Sequence, residues 1–168
     1  MDLQEVISSL KLEKHPKEGG WFRETYRSDE KFDGSSLPSR YGSDRAYSTL
    51  IYYLISAEHF SGFHRLKSDE IYHFYLGDPA HLCTIGAEGS VKETVLGCDI
   101  GAGATLQALV PQGHWQAVYL KPGGKWALLG CTVSPGFEYE GDFEDGQRQS
   151  LTAQFPQHAD LITRLTSG

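Results

Sequence analysis

The feature that most constrains this chain is an alternation of period two, repeated along its middle. Residues 21–27, 47–55, 59–66, 70–76, 81–85, 91–96, 105–110, 114–120, 125–133 and 137–140 are ten short β-branched or aromatic runs. Each is bounded by Gly, Pro, Asp or Ser, which is how strands separated by turns read. No helical runs are interleaved, so a parallel α/β layering is excluded and a sandwich or barrel is expected. Only the ends change period. Val6, Ile7 and Leu10 behind Asp2 predict a short capped helix over 3–11, and Ala159, Leu161, Ile162 and Leu165 behind Pro156 predict another. The polar segment Ser28–Arg45 is the one long loop, which at that length reads as a lid or a disordered stretch. With 39% hydrophobic residues in 168 the chain buries a core, in which Leu109 of the 105–110 run is expected, as one domain, 1–168, without a linker or repeat.

Charge and cysteines narrow the setting. Lys and Arg number 15 against 22 Asp and Glu, and no basic run exceeds two residues, so a phosphate-backbone partner is not expected. Cys83, Cys98 and Cys131 form no C-x-x-C pair and read as reduced, buried thiols of a cytoplasmic protein. The N-terminal stretch lacks the basic start and apolar core of a signal peptide. The longest apolar stretch, 47–57, is too short to cross a bilayer, so no membrane association is expected.

The chemistry concentrates in Gly62–Gly77, GFHRLKSDEIYHFYLG. His64 ends one strand and Glu70 begins the next. Alternation puts Leu66 on the face of His64, and Tyr72 and Phe74 on the face of Glu70. An imidazole and a carboxylate that meet among apolar rings either bind a divalent metal or act as a base with an orienting partner. The same spacing also describes a core His satisfied by a neighbouring carboxylate.

This stretch resembles the first cupin motif, a His-x-His followed by a Glu after a short turn and a Gly seven residues later. His64, Glu70 and Gly77 match; Leu66 stands where the second metal-binding His would be, and Glu58 replaces a preceding Gly. The second motif, Pro-x-Gly-x-x-His, is matched by Pro111 and Gly113, with Gln116 in place of the His and His114 two residues earlier. Residues 15–28, 63–79, 110–118, 130–144 and 155–162 follow one another as in the DUF985, or cupin-5, group of that superfamily. The resemblance implies an all-β double-stranded β-helix, the cupin jelly roll, with short terminal helices. It also implies a homodimer with a deep pocket and kinship to cupin epimerases of nucleotide sugars.

The expected activity is therefore a cofactor-free isomerase or epimerase acting on a sugar or sugar nucleotide. His64 would abstract a proton, Glu70 orient it, and Tyr72 reprotonate the other face. Arg23, Arg65, Tyr52, His114 and Gln116 are the candidate ligand-binding residues, the arginines as an anion site at the barrel rim under the Ser28–Arg45 loop. One alternative is a metal-dependent enzyme with a divalent ion held by His64, Glu70, His114 and Gln116. Another is a non-catalytic protein that binds a small acidic metabolite. His73 is expected on the outer sheet, and His15, His59, His81 and His158 as structural residues.

Overall fold

The computed structural model describes residues 1–166. Thirteen strands alternate along the chain: β1 (Glu13–Lys14), β2 (Trp21–Arg27), β3 (Lys31–Phe32), β4 (Arg45–Ala46), β5 (Thr49–Ser56), β6 (Ser61–Arg65), β7 (Asp69–Gly77), β8 (Ala80–Ile85), β9 (Val91–Leu96), β10 (Gln107–Val110), β11 (Trp115–Leu120), β12 (Trp126–Ser134) and β13 (Glu144–Asp145). Eleven of them form a six-stranded sheet in the order β1-β2-β5-β12-β7-β10 and a five-stranded sheet in the order β13-β6-β11-β8-β9, and β3 and β4 form a separate pair. Strand pairing within both is antiparallel. The inward faces share a core that includes Tyr53, Ile55, Tyr72, Phe74, Leu82, Val118 and Leu129, so period two is here the burial of one face per strand.

Helices cover part of each outward face. Helix α1 (Leu3–Leu10) starts on a capping box, in which Asp2 accepts from the Glu5 N–H at 2.9 Å and Glu5 accepts from the Asp2 N–H at 2.7 Å. It lays Val6 against Trp21, Leu54 and Leu128. The C-terminal segment folds as a helix over Arg148–Gln154, a 3-10 turn over Pro156–His158 and a helix over Ala159–Arg164. Leu151, Phe155 and Ile162 there cover Phe63, Ile85 and Trp115 of the five-stranded sheet. The first of these helices is additional to the pattern read from the sequence. Among the described residues no helix is long and apolar enough to cross a membrane.

Four expectations are corrected. Residues 137–140 are no strand: Gly141, with φ near 91°, breaks the backbone, and Tyr139–Asp142 makes only a kinked turn. The Ser28–Arg45 loop is organised rather than open, because β3 pairs with β4 and the Arg45 guanidinium is buried against Asp142 at 2.6 Å. Cys98 is exposed, whereas Cys83 and Cys131 are buried, and all three are free. Leu109, which strand content alone would bury, is 56% exposed, because β10 is an edge strand that turns Ala108 and Val110 inward instead.

Candidate functional site

His64 and Glu70 do not belong to one hairpin. β6 lies in the five-stranded sheet and β7 in the six-stranded sheet, so Leu66–Ser68 carries the chain across the sandwich and the two side chains approach from opposite layers. Both are buried, at 1% and 6% exposure. Gln116, opposite His64 on β11, reaches over the gap and donates from Nε2 to Glu70 Oε2 at 2.7 Å. Burial pushes the Glu70 carboxyl up to about 7, against the pull of His64 and with further support from Glu18. Burial lowers the His64 pKa, opposed by the Glu70 charge. The Cys131 thiol, which donates to Glu70, is raised well above its ordinary value by burial and is inert as a nucleophile.

Glu18 completes the buried end. It sits between β1 and β2, where Gly19 and Gly20 take φ values of 93° and 69° and a Cβ on either would strike the backbone oxygen of Phe60 or Leu54. That turn aims the Glu18 side chain, 12% exposed, into the end of the sandwich, with its Oε1 3.5 Å from His15 Nε2 and 3.9 Å from His64 Nε2. Hydrogen-bond partners assign the tautomers. His64 Nδ1 donates to the Gly62 carbonyl at 2.9 Å, leaving a lone pair on Nε2. His15 Nδ1 accepts from the Glu18 N–H at 2.9 Å, leaving the proton on Nε2. Glu18 thus lies between a donor and a lone pair, and burial raises its pKa while the neighbouring His15 lowers it.

A cavity of about 200 Å³ opens against this cluster. Glu18, Glu70 and Cys131 form its buried end, and Phe22, Ile51, Leu66, Val133, Phe137 and Tyr139 its apolar walls. Glu24, Arg27 and Glu138, all about one-third exposed or more, form the outer end. Arg27 donates to Glu24 at 2.9 and 3.1 Å, to Glu138 at 2.7 Å and to the Phe137 carbonyl at 3.0 Å, so four of its five N–H donors are occupied. The segment Phe137–Phe143 closes the site from above, and the Phe143 ring stacks on His64 at 5.2 Å and 17°.

The expected residues divide sharply. Glu70 lines the cavity, while His64 and Gln116 stand behind it. Tyr72 faces inward as predicted but belongs to the core, paired through its backbone with Cys131 and Ala108, and does not line the cavity. Tyr52 and Arg23 lie together on the outer side of the six-stranded sheet, the guanidinium 5.5 Å from the Tyr52 ring. Arg65 is held by Glu144 at 2.8 Å through two bonds and lies over Trp115. His114 lines a separate surface depression with Thr84 and Lys92. His73 is on the outer face, bonded to Thr132 and Gln107. His15, expected to be structural, is part of the site. It and Glu18 fall in the Gly-rich loop 15–20, inside a segment that carries the family resemblance, which is the signal that points to them.

Arg27 reaches the cavity through a β-bulge. Strict alternation would put Arg23 and Arg27 on one face, but the β2–β5 register slips between Glu24 and Tyr26. Thr25 is the extra residue, and beyond it the faces exchange, so Phe22, Glu24 and Arg27 all point to the cavity.

The chain matches the family model "Cupin superfamily (DUF985)" over residues 4–144. It is 32% identical over 147 residues to the uncharacterised protein YML079W of Saccharomyces cerevisiae, covering 82% of this chain and 72% of the relative. Among solved structures it resembles a hypothetical protein from Leishmania major, with a TM-score of 0.91 and 31% identity over 100% of both chains. It also resembles protein SO0799 from Shewanella oneidensis, with a TM-score of 0.88 and 35% identity over 99% and 98% of the two chains. Bacillus subtilis oxalate decarboxylase, a protein with Mn(II) centres, shares the fold at a TM-score of 0.54 and 16% identity, over 93% of this chain and 38% of that one.

A cupin metal site does not fit the residues present. Leu66 offers no donor, Gln116 turns its Nε2 to Glu70 and leaves only Oε1 without a partner, and His114 is elsewhere. Among the described residues no three His, Cys, Asp or Glu side chains gather as metal ligands. With two antiparallel sheets, a jelly-roll pocket between them and a family match over most of its length, the chain belongs to the cupin superfamily, in the DUF985 family.

Proposed function

We propose that this cupin is an isomerase or epimerase of a small sugar, which moves a proton at a carbon next to a carbonyl between Glu70 and Glu18. The observation that carries the reading is a carboxyl poised at about 7, Glu70, lining a small apolar cavity that a second buried carboxyl shares. In the step, deprotonated Glu70 takes the proton and the C–H pair moves towards the carbonyl oxygen; as a pair returns, protonated Glu18 gives a proton to the same carbon in an epimerisation, or to the former carbonyl carbon in an isomerisation, where the neighbouring hydroxyl proton passes to the former carbonyl oxygen. Exchange with water restores the pair. His64 acts as a positioning residue behind Glu70, and Tyr72 packs in the core outside the cavity.

Size and charge support a sugar rather than an enclosed sugar nucleotide. About 200 Å³ is below the roughly 300–1,000 Å³ of sites for drug-sized ligands. Among the described residues Arg27 is the one Lys or Arg on its wall, and its charge is already paired with Glu24 and Glu138. A buried pyrophosphate would therefore meet glutamates without a free counter-charge.

The test is deuterium incorporation. Aldoses and ketoses of five and six carbons are incubated with the protein in D2O and read by NMR at carbon-bound positions. Exchange that falls about 10²–10⁴-fold in both Glu70→Gln and Glu18→Gln supports the reading. The absence of exchange in every sugar of the panel overturns it.

A further inference from the structure

Tyr139 lines the cavity, and its hydroxyl is buried without a hydrogen-bond partner. Its ring is fixed on several sides: Phe143 stacks against it at 6.4 Å and 5°, Phe137 meets it edge-on at 5.8 Å, and Lys17 Nζ lies 5.0 Å from its centre. The backbone around it is clamped as well, by Arg27 on Glu138 and by Arg45 on Asp142. A phenol held this firmly with an idle O–H is costly to a fold, since buried donors are otherwise partnered. Burial, and after it the proximity of Glu18, raises the Tyr139 pKa, so the proton stays on oxygen. A protonated, unpartnered donor on a residue that lines a cavity whose buried end carries two carboxyls has the chemistry needed to receive a ligand oxygen.

We propose that the Tyr139 hydroxyl is the donor that binds the carbonyl oxygen of the sugar and stabilises the charge collecting there when the neighbouring carbon loses its proton. This deepens the proton-transfer reading and rests on it. Tyr139, rather than Tyr72, which does not line the cavity, is thus the tyrosine assigned a catalytic role. The hydroxyl donates a hydrogen bond and keeps its proton throughout, so the proton balance stays with Glu70 and Glu18.

The test is Tyr139→Phe in the full chain, with D-glucose and D-fructose in D2O as probes and saturation-transfer NMR as a separate readout of binding. Removing an idle hydroxyl leaves the unfolding midpoint unchanged or higher, while deuterium exchange falls about 10²–10³-fold, the loss typical of one such donor. The pH profile of the residual exchange stays as in the unmodified protein, because the acid and base are intact. Wild-type exchange in Tyr139→Phe overturns the assignment and leaves proton transfer by the glutamates standing. A marked loss of stability also overturns it, since the hydroxyl would then be satisfied within the fold. Should neither sugar exchange even with the unmodified protein, binding decides. Saturation transfer that vanishes in Tyr139→Phe supports the assignment without the reaction, and transfer equal or absent in both proteins overturns it.

Discussion

Substituting Asp142 by Ala tests whether one buried ion pair holds the roof of the site. Arg45 and Asp142 have side chains 1% and 2% exposed, with Nη2 and Oδ1 2.6 Å apart. Arg45 also donates to the Tyr41 carbonyl at 2.9 Å, the Asp44 carbonyl at 3.1 Å and the Ser43 hydroxyl, while Asp142 Oδ2 accepts from the Glu138 N–H at 2.9 Å. In Asp142→Ala the guanidinium stays charged where water does not reach it, a loss of about 3–5 kcal/mol. The Glu138 N–H adds about 1 kcal/mol by losing its acceptor. At roughly 2–4 °C per kcal/mol for a domain of this size, the midpoint falls on the order of 10–20 °C. Replacing both partners, Arg45→Met with Asp142→Leu, recovers most of the loss, because the pair was itself expensive to desolvate. Urea unfolding of Arg45→Met, Asp142→Leu and the double, set in a cycle, measures the coupling directly. A single substitution that costs less than about 1 kcal/mol, or a double equal to the sum of its singles, refutes the clamp.

Three other outcomes are expected. Glu70 titrates at about 7 in the folded chain against an ordinary 4.5, so the folded state holds its proton more tightly. Its contribution to stability is complete below about 4.5 and declines as pH rises to about 7. Glu70→Gln should remove that decline and be the more stable protein at pH 8, by up to about 3 kcal/mol. Glu18 acts in the same sense and the lowered histidines His15 and His64 in the opposite one, so the difference between the two proteins isolates Glu70, and curves that run parallel across this window contradict the assignment. Association as a homodimer is proposed through the apolar outer face of β7 and β10, where Ile71 and Leu109 are cross-strand neighbours and both exposed. Light scattering should give the mass of two chains and Leu109→Asp that of one, whereas a monomeric parent rules the interface out. Elemental analysis of purified protein should find no stoichiometric Zn, Mn, Fe or Ni, and about one ion per chain would contradict the donor-set argument.

Alternation along the strands was enough to put His64 with Leu66 and Glu70 with Tyr72 and Phe74 on inward faces, since facing is a local property of an extended backbone. Asp2 and the spacing of Val6, Ile7 and Leu10 placed α1 for the same reason. The motif residues around Gly77 and Pro111 led to the family. None of these signals says which strands share a sheet. Only the tertiary structure sends β6 and β7 to opposite layers, so that Gln116 rather than a turn connects His64 to Glu70. It also supplies the bulge at Thr25 that turns Arg27 inward and leaves Arg23 outside. The loop that brings Glu18 and His15 to the buried end, and the segment that suspends Tyr139 over it, have no periodicity to read. Their positions follow from long-range partners, the Phe60 and Leu54 backbone for one and Arg45 for the other, and a contact between distant residues is decided by packing, not by neighbours in the chain.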